Sequence, residues 1–307
     1  MELNSIADIA NAAAEQLDIH FQGVDDPQQP AQWAVPLDGQ HQVGMTLNAH
    51  DGSVIFSVWR RSFNNKPDLV NAQDEALLRR GFNTRLGAGL IGGHTAELGH
   101  SLNLPLYGTC DVHALQHTLE ILVRELDRLE REPASRAPAL PPFPSDARHQ
   151  LGNAAHAEHL LVRFAQNCGV DALPTGTRQF DVLFDDLPGR IKLHPSARLL
   201  LADFFIHDLA MLQGAMRHLI VKSALLINQA ALRGRAYVVG LDSRDFLVGT
   251  GRVLLEGLND ELFSQWLQYQ VMQAMDMRAL VKRLSLEGVQ ISFTPAGKVA
   301  SIELGAL

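Results

Sequence analysis

The residues with types and spacings that chemistry could use are glycines, histidines, aspartates and two cysteines. Gly87, Gly89 and Gly92 stand as G-x-G-x-x-G, a spacing that lets backbone N–H groups meet a dinucleotide phosphate. That use needs a strand before the glycines and a helix opening at them. Here a helix-like segment precedes them and a short polar strand-like segment follows, so they read as a helix-to-strand connector. His113 and His117 are spaced i, i+4, and His156 and His159 i, i+3; each pair sets two imidazoles on one helix face. A protein zinc site normally takes a third ligand, and neither H-E-x-x-H nor a paired C-x-x-C accompanies them. Asp111, just ahead of His113, reads as a helix N-cap. The pairs read as solvated helix faces, and no metal is expected.

Asp181, Asp185 and Asp186 cluster in sequence, but the last two directly precede Leu-Pro-Gly, where aspartates stabilise turns through their own backbone. Cys110 and Cys168 sit in different halves and read as reduced and structural. Cys168 falls near a helix C-terminus, the end that disfavours a thiolate. No G-x-S-x-G elbow and no P-loop is present. The chain therefore reads as a non-enzyme without a cofactor.

Apolar chemistry is more informative. In a strand, alternate residues face opposite sides. Val54, Phe56 and Val58 thus oppose Ile55 and Trp59, and both sets are bulky. The segment 198–205 is similar, since Leu199, Leu201, Phe204 and Phe205 leave no clean polar face. Two readings follow. Either both sheet faces are covered, or one face forms a groove that accepts an apolar segment of a partner. On the second reading the docking residues are Leu17, Phe21, Trp33, Ile55 and Trp59 in the first half, with Leu160, Phe184 and Phe205 in the second.

The elements that must position these residues come in a repeated order. Ile6, Ile9, Ala10, Ala13 and Leu17 have helical spacing. Strand patterns follow at 32–37, 42–47 and 53–60, with Asp38-Gly39 and Asp51-Gly52 as turns. A helix over 68–85, strands at 94–98 and 104–109, and a Leu115–Leu119–Leu122–Leu126–Leu129 stripe close the first half. The second half opens on a helix through Leu160, Leu161 and Phe164, ending at Gly169. Strands at 179–184, 190–194 and 198–205 follow, then a helix over 208–232 and a hairpin of 236–241 with 246–254. Phe263, Trp266, Leu267, Val271 and Ala274 stripe the last helix. Helix, three strands, helix, two strands, helix occurs twice, and a shared order is better support than any single element.

Length and composition fit this organisation. A chain of 307 residues with 46% hydrophobic side chains carries about two domains' worth of core. The segment 131–148 holds five of the fourteen prolines and reads as a semi-rigid tether. The domains expected are 1–132 and 149–286, joined by a linker at 133–148 and followed by a 287–307 hairpin extension. In that tail Val289, Ile291 and Phe293 alternate with polar residues, and protection of a sheet edge is its expected role. The net charge of −8 argues against nucleic acid, whose phosphates need clustered Lys and Arg. Nothing resembles a membrane span or secretory signal, so a cytoplasmic protein is expected.

The run LLINQAALRGRAYVVGLDSRDFLVGTGRVLLEGLNDELFSQWL, residues 225–267, resembles the second half of the class I (CesT-like, Tir-chaperone) type III secretion chaperones. Leu225, Leu226, Asn228, Gly240, Leu241, Asp242, Leu254 and Leu258 carry the likeness. Leu77, Leu78, Asn83 and Leu98-Gly99 carry a fainter one in the first half, where Leu-Gly-His-Ser replaces Gly-Leu-Asp. The resemblance implies an α+β fold of two tandem secretion-chaperone-like domains, packed as an intramolecular pseudo-dimer. It also implies a virulence-associated chaperone that holds an unfolded N-terminal segment of a secreted effector and hands it to the secretion apparatus. YbjN-like proteins share the scaffold, and the alternative they imply is a structural or regulatory adaptor docking a folded partner. Usual members are single domains, so the fusion and the tail depart from the pattern.

Overall fold

The computed structural model describes residues 32–47, 54–60, 67–82, 90–95, 98–106, 112–133, 150–170, 173, 176–194, 199–231, 237–285 and 300–302. The first half comprises β1 (Gln32–Pro36), β2 (His41–Leu47), β3 (Val54–Arg60), α1 (Pro67–Phe82), β4 (Ile91–Thr95), β5 (Gly99–Leu106) and α2 (Val112–Arg131). The second comprises α3 (Gln150–Asn167), β6 (Gln179–Phe184), β7 (Leu187–Leu193), β8 (Leu199–Asp208) and α4 (Gly214–Ala231). After these come β9 (Tyr237–Leu241), β10 (Phe246–Leu254), α5 (Asp260–Ser285) and β11 (Ala300–Ile302). The fold is α+β, as the element order predicts. The opening helix expected at 6–17, nearly all of the linker and all of the tail but 300–302 lie outside the described residues.

One sheet runs β1-β2-β3-β5-β4 and the other β11-β6-β7-β8-β10-β9. With β11 set aside, both sheets place their five strands in the order first, second, third, fifth, fourth. Packing divides the chain into two units, Met1–Pro144 with Val221–Leu241, and Ser145–Ile220 with Asp242–Leu307. The C-terminal part of α4 and all of β9 thus pack with the first half of the chain.

In the first unit the antiparallel sheet is centred on β3, whose β-branched and aromatic residues suit a strand buried on both sides. Phe56 and Val58 are fully buried on one face, Ile55 and Trp59 on the other. The β1–β2 turn forms where Asp38-Gly39 predicts it: Asp38 Oδ1 accepts the N–H groups of Gln40 at 2.6 Å and His41 at 2.7 Å. β4 begins three residues before the expected position, inside the glycine-rich stretch. The reason is close packing of α1, since a Cβ on Gly92 would lie 2.7 Å from the Leu77 carbonyl oxygen. Gly240 of β9 faces the same helix, and a Cβ there would lie 2.8 Å from Phe82 Cβ. These glycines let a helix approach backbone, which is a different use from cradling phosphate.

In the second unit Phe164, Phe180 and Phe263 meet edge-to-face, with centroids 6.2 and 5.6 Å apart. The β6–β7 turn takes only Asp185 and Asp186, and the Leu-Pro-Gly that follows them belongs to β7. Asp185 adopts φ 49°, a left-handed conformation that aspartate tolerates, and Phe184 pairs directly with Leu187. β8 runs on to Asp208 because Phe204, Phe205, Ile206 and His207 are all buried, and α4 starts correspondingly later. In the turn before β10, Asp242 Oδ1 accepts the N–H groups of Arg244 at 2.8 Å and Phe246 at 2.9 Å. Asn259 caps α5 by accepting the Leu262 N–H at 2.9 Å.

Candidate functional site

The apolar residues expected to line a groove are core in this structure. Ile55 and Trp59 are 1% exposed, Leu160 1%, Phe184 0% and Phe205 5%. Apolar neighbours account for much of this. Ile55 packs against Ile91 and the β9 residue Val238, Phe184 against Phe204, and Phe205 edge-on to Phe246. Trp33 lies in β1, but its side chain falls outside the described residues, as do Leu17 and Phe21. These five positions therefore present no open apolar surface.

The polar candidates are absorbed by structure. His156 Nε2 lies 2.7 Å from the Leu258 carbonyl oxygen, tying α3 to the start of α5, while His159 is exposed. His117 is exposed and the His113 side chain is not described. Asp181 receives Arg190 Nε at 2.7 Å across the β6–β7 pair. Asp203 of β8 takes Lys192 and accepts the Thr250 hydroxyl at 2.8 Å, continuing a polar row across β6, β7, β8 and β10. Asp186 accepts Arg278 Nη1 at 2.7 Å. Burial pushes the Cys168 thiol up to about 11, so it is no nucleophile at neutral pH.

An apolar surface does exist, on the outer face of α5. Leu262 is 47% exposed, Tyr269 37% and Met272 55%, with half-buried Trp266 between them. The spacing i, i+4, i+7, i+10 keeps all four on one side of the helix. Phe263, Leu267, Val271 and Ala274 fill the opposite, buried side. The periodicity that identified this helix fixed its core stripe. The second stripe is masked in the sequence because Trp266 directly precedes Leu267 of the first.

No protein-family model and no curated protein matches this chain. Among solved structures, one similarity is to the crystal structure of the ExsC-ExsE complex. It has a TM-score of 0.36 and 20% identity, and covers 42% of this chain and 95% of that one.

Sequence reasoning missed one polar cluster altogether. Asp74 on α1 meets His94 on β4 and His100 on β5. His100 Nε2 lies 2.7 Å from Asp74 Oδ1, and His94 Nδ1 lies 3.7 Å from the same oxygen. Burial pushes the Asp74 carboxyl up, but the hydrogen bond from His100 and the nearby imidazoles of His100 and His94 outweigh this and bring it down to about 2. The two histidines are direct cross-strand partners, so their side chains share a face. That pairing was the only sequence-level signal, and placing β4 and β5 three and five residues late concealed it.

Two sheet edges complete the picture. β11 adds in parallel to β6, pairing Ala300, Ser301 and Ile302 with Val182, Leu183 and Phe184. The tail thus contributes a strand at an edge, the place expected of it, although not as a described hairpin. Asn228 of α4 serves the other kind of edge: its Nδ2 donates to the carbonyls of Gly92 and Val239, each at 2.8 Å, and its Oδ1 accepts the Val239 N–H at 2.7 Å. Among the described residues, no helix is long and apolar enough to cross a membrane.

Proposed function

We propose that this chain is a chaperone-like binding protein, built from two copies of one α+β domain, that holds an unfolded apolar segment of another protein. The observation that carries the reading is the apolar stripe of Leu262, Trp266, Tyr269 and Met272 on α5, a form suited to docking apolar side chains. The resemblance to the secretion chaperones supports it. Asn228, Gly240 and Asp242, three residues of that likeness, respectively join α4 to two strands, admit a helix against β9, and build the β9–β10 turn. The same strand order in both sheets supports the tandem-copy reading.

On this proposal the partner is a secreted effector bound through its N-terminal region in the cytoplasm, before delivery to a secretion apparatus. No catalysis is involved, and one chain serves as its own pseudo-dimer. Docking is assigned to the exposed stripe of α5, since Ile55, Trp59, Leu160, Phe184 and Phe205 are buried. The test is co-expression with secreted proteins encoded beside this chain, followed by co-purification. A soluble stoichiometric complex through the partner's N-terminal region is the expected result. A complex that survives deletion of that region would instead favour an adaptor docking a folded partner, and absence of any complex would count against both.

A further inference from the structure

Asp74, His94 and His100 are one carboxylate and two imidazoles, each offering a donor atom within 4.8 Å of the other two. Asp74 and His100 are buried, and the two imidazole rings stand edge to face with centroids 5.0 Å apart. The Asp74–His100 contact is a complete hydrogen bond and by itself explains only two of the three residues. His94 is the residue that needs an account. Its Nδ1 is sealed from solvent, points toward the carboxylate oxygen that His100 already occupies, and has no hydrogen-bond partner. A buried imidazole nitrogen without a partner is costly unless something else engages it.

We infer that Asp74, His94 and His100 form a binding site for a divalent first-row transition-metal ion of the zinc class. Two nitrogens and one carboxylate oxygen are the donor set that such ions accept, leaving a fourth position for water or another ligand. At metal–ligand distances of about 2.0–2.1 Å, tetrahedral donors sit roughly 3.3 Å apart. His94 Nδ1 would close by a few tenths of an ångström and His100 Nε2 would open by roughly half an ångström to reach this. Asp74 comes from α1 and the histidines from the β4–β5 pair, so the ion would pin the helix to the sheet within the first unit. Its role is structural: it would raise the stability of that unit and has no reaction to perform.

The test uses the full chain stripped of metal by chelator and titrated with Zn2+ or Co2+. The expected result is uptake of one equivalent, a visible absorption band of tetrahedral Co2+, and a saturable rise in melting temperature with Zn2+. His94→Ala should lose the Co2+ band and weaken Zn2+ affinity at least about tenfold. That variant keeps the Asp74–His100 hydrogen bond and should fold, whereas His100→Ala breaks it and is the poorer probe. The exposed His117 and His159 are replaced by Gln in all versions, so that they do not contribute. Failure to take up either ion, or uptake unchanged in His94→Ala, would overturn the assignment and leave the cluster as a hydrogen-bonded pair.

Discussion

Replacing Asn228 by Ala should destabilise the protein far more than a buried polar-to-small change usually does. The Asn228 side chain is 1% exposed and makes three hydrogen bonds of 2.7–2.8 Å, two to Val239 and one to Gly92. An intramolecular hydrogen bond is worth about 0.5–1.5 kcal/mol net, and an orphaned buried group costs about 1–3 kcal/mol. Alanine removes all three bonds and strands the Val239 N–H, so a loss of about 3–5 kcal/mol is expected, a large share of a typical ~5–15 kcal/mol. N228D separates the contributions. Its carboxylate still accepts the Val239 N–H but faces two carbonyl oxygens, so it should be no better than alanine at pH 7. Its pKa would be raised in the folded state, so its deficit should shrink as pH falls toward the carboxyl range. Urea unfolding followed by tryptophan emission is the assay, since Trp59 is buried in the same unit. A loss below about 1 kcal/mol for Asn228→Ala would refute the account of α4 and β9 as integral to the first unit.

Other outcomes follow from the same structure. Glu125 is 3% exposed and ion-paired with Arg80 Nε at 2.8 Å and Arg128 Nη2 at 2.7 Å, while the Arg80 side chain is 1% exposed. Glu125→Ala should lower stability by about 3–5 kcal/mol in urea melts, because it leaves a buried guanidinium without its carboxylate. Gly240→Ala should cost about 1–3 kcal/mol by forcing Phe82 away from β9, and pairing it with Phe82→Gly, which removes the clashing Cβ, should make the two losses less than additive. With its thiol pushed up to about 11, Cys168 should alkylate at pH 8 roughly a hundredfold more slowly than a free cysteine in a Cys110→Ser background. Its rate should climb steadily to about pH 11, and a plateau near pH 8–9 would contradict the burial argument.

Much of the architecture was legible because local signals agreed with tertiary ones. Asp38-Gly39, the β-branched run of 54–60 and the apolar period of 263–274 each specify their element without outside help. Failures occurred where long-range packing overrode a local signal. The glycines at 92 and 93 look like a connector, yet they lie in β4, where α1 presses on Gly92 and the Gln229 and Ser101 side chains crowd Gly93. Ser101 and Asn103 look too polar for a core strand. They are held there by hydrogen bonds, Asn103 Nδ2 donating to the Ile91 carbonyl at 2.8 Å and to Ser101 Oγ at 3.0 Å, and Ser101 Oγ donating to Gln229 Oε1 at 3.1 Å. Ile55, Trp59, Phe184 and Phe205 are buried for a related reason: period 2 shows that a residue faces one side of a sheet, but not whether that side is covered. Ile55 is covered by Val238, a residue 183 positions away in sequence, which no local pattern encodes. The stripe on α5 and the Asp74–His94–His100 cluster likewise depend on which helix face and which strand register the fold selects.

The claim that this chain holds an apolar segment of another protein rests on the α5 stripe. Leu262→Ser with Met272→Ser removes its two most exposed aliphatic residues, each about half exposed. Burying that remaining surface is worth about 1 kcal/mol per residue, so affinity should fall about tenfold or more. The decisive measurement is the affinity of wild-type and doubly substituted chains for the N-terminal segment of a co-purifying secreted protein, with thermal melts run alongside. Weakened binding at an unchanged melting temperature is the result predicted, and equal affinity in the two proteins would contradict the assignment.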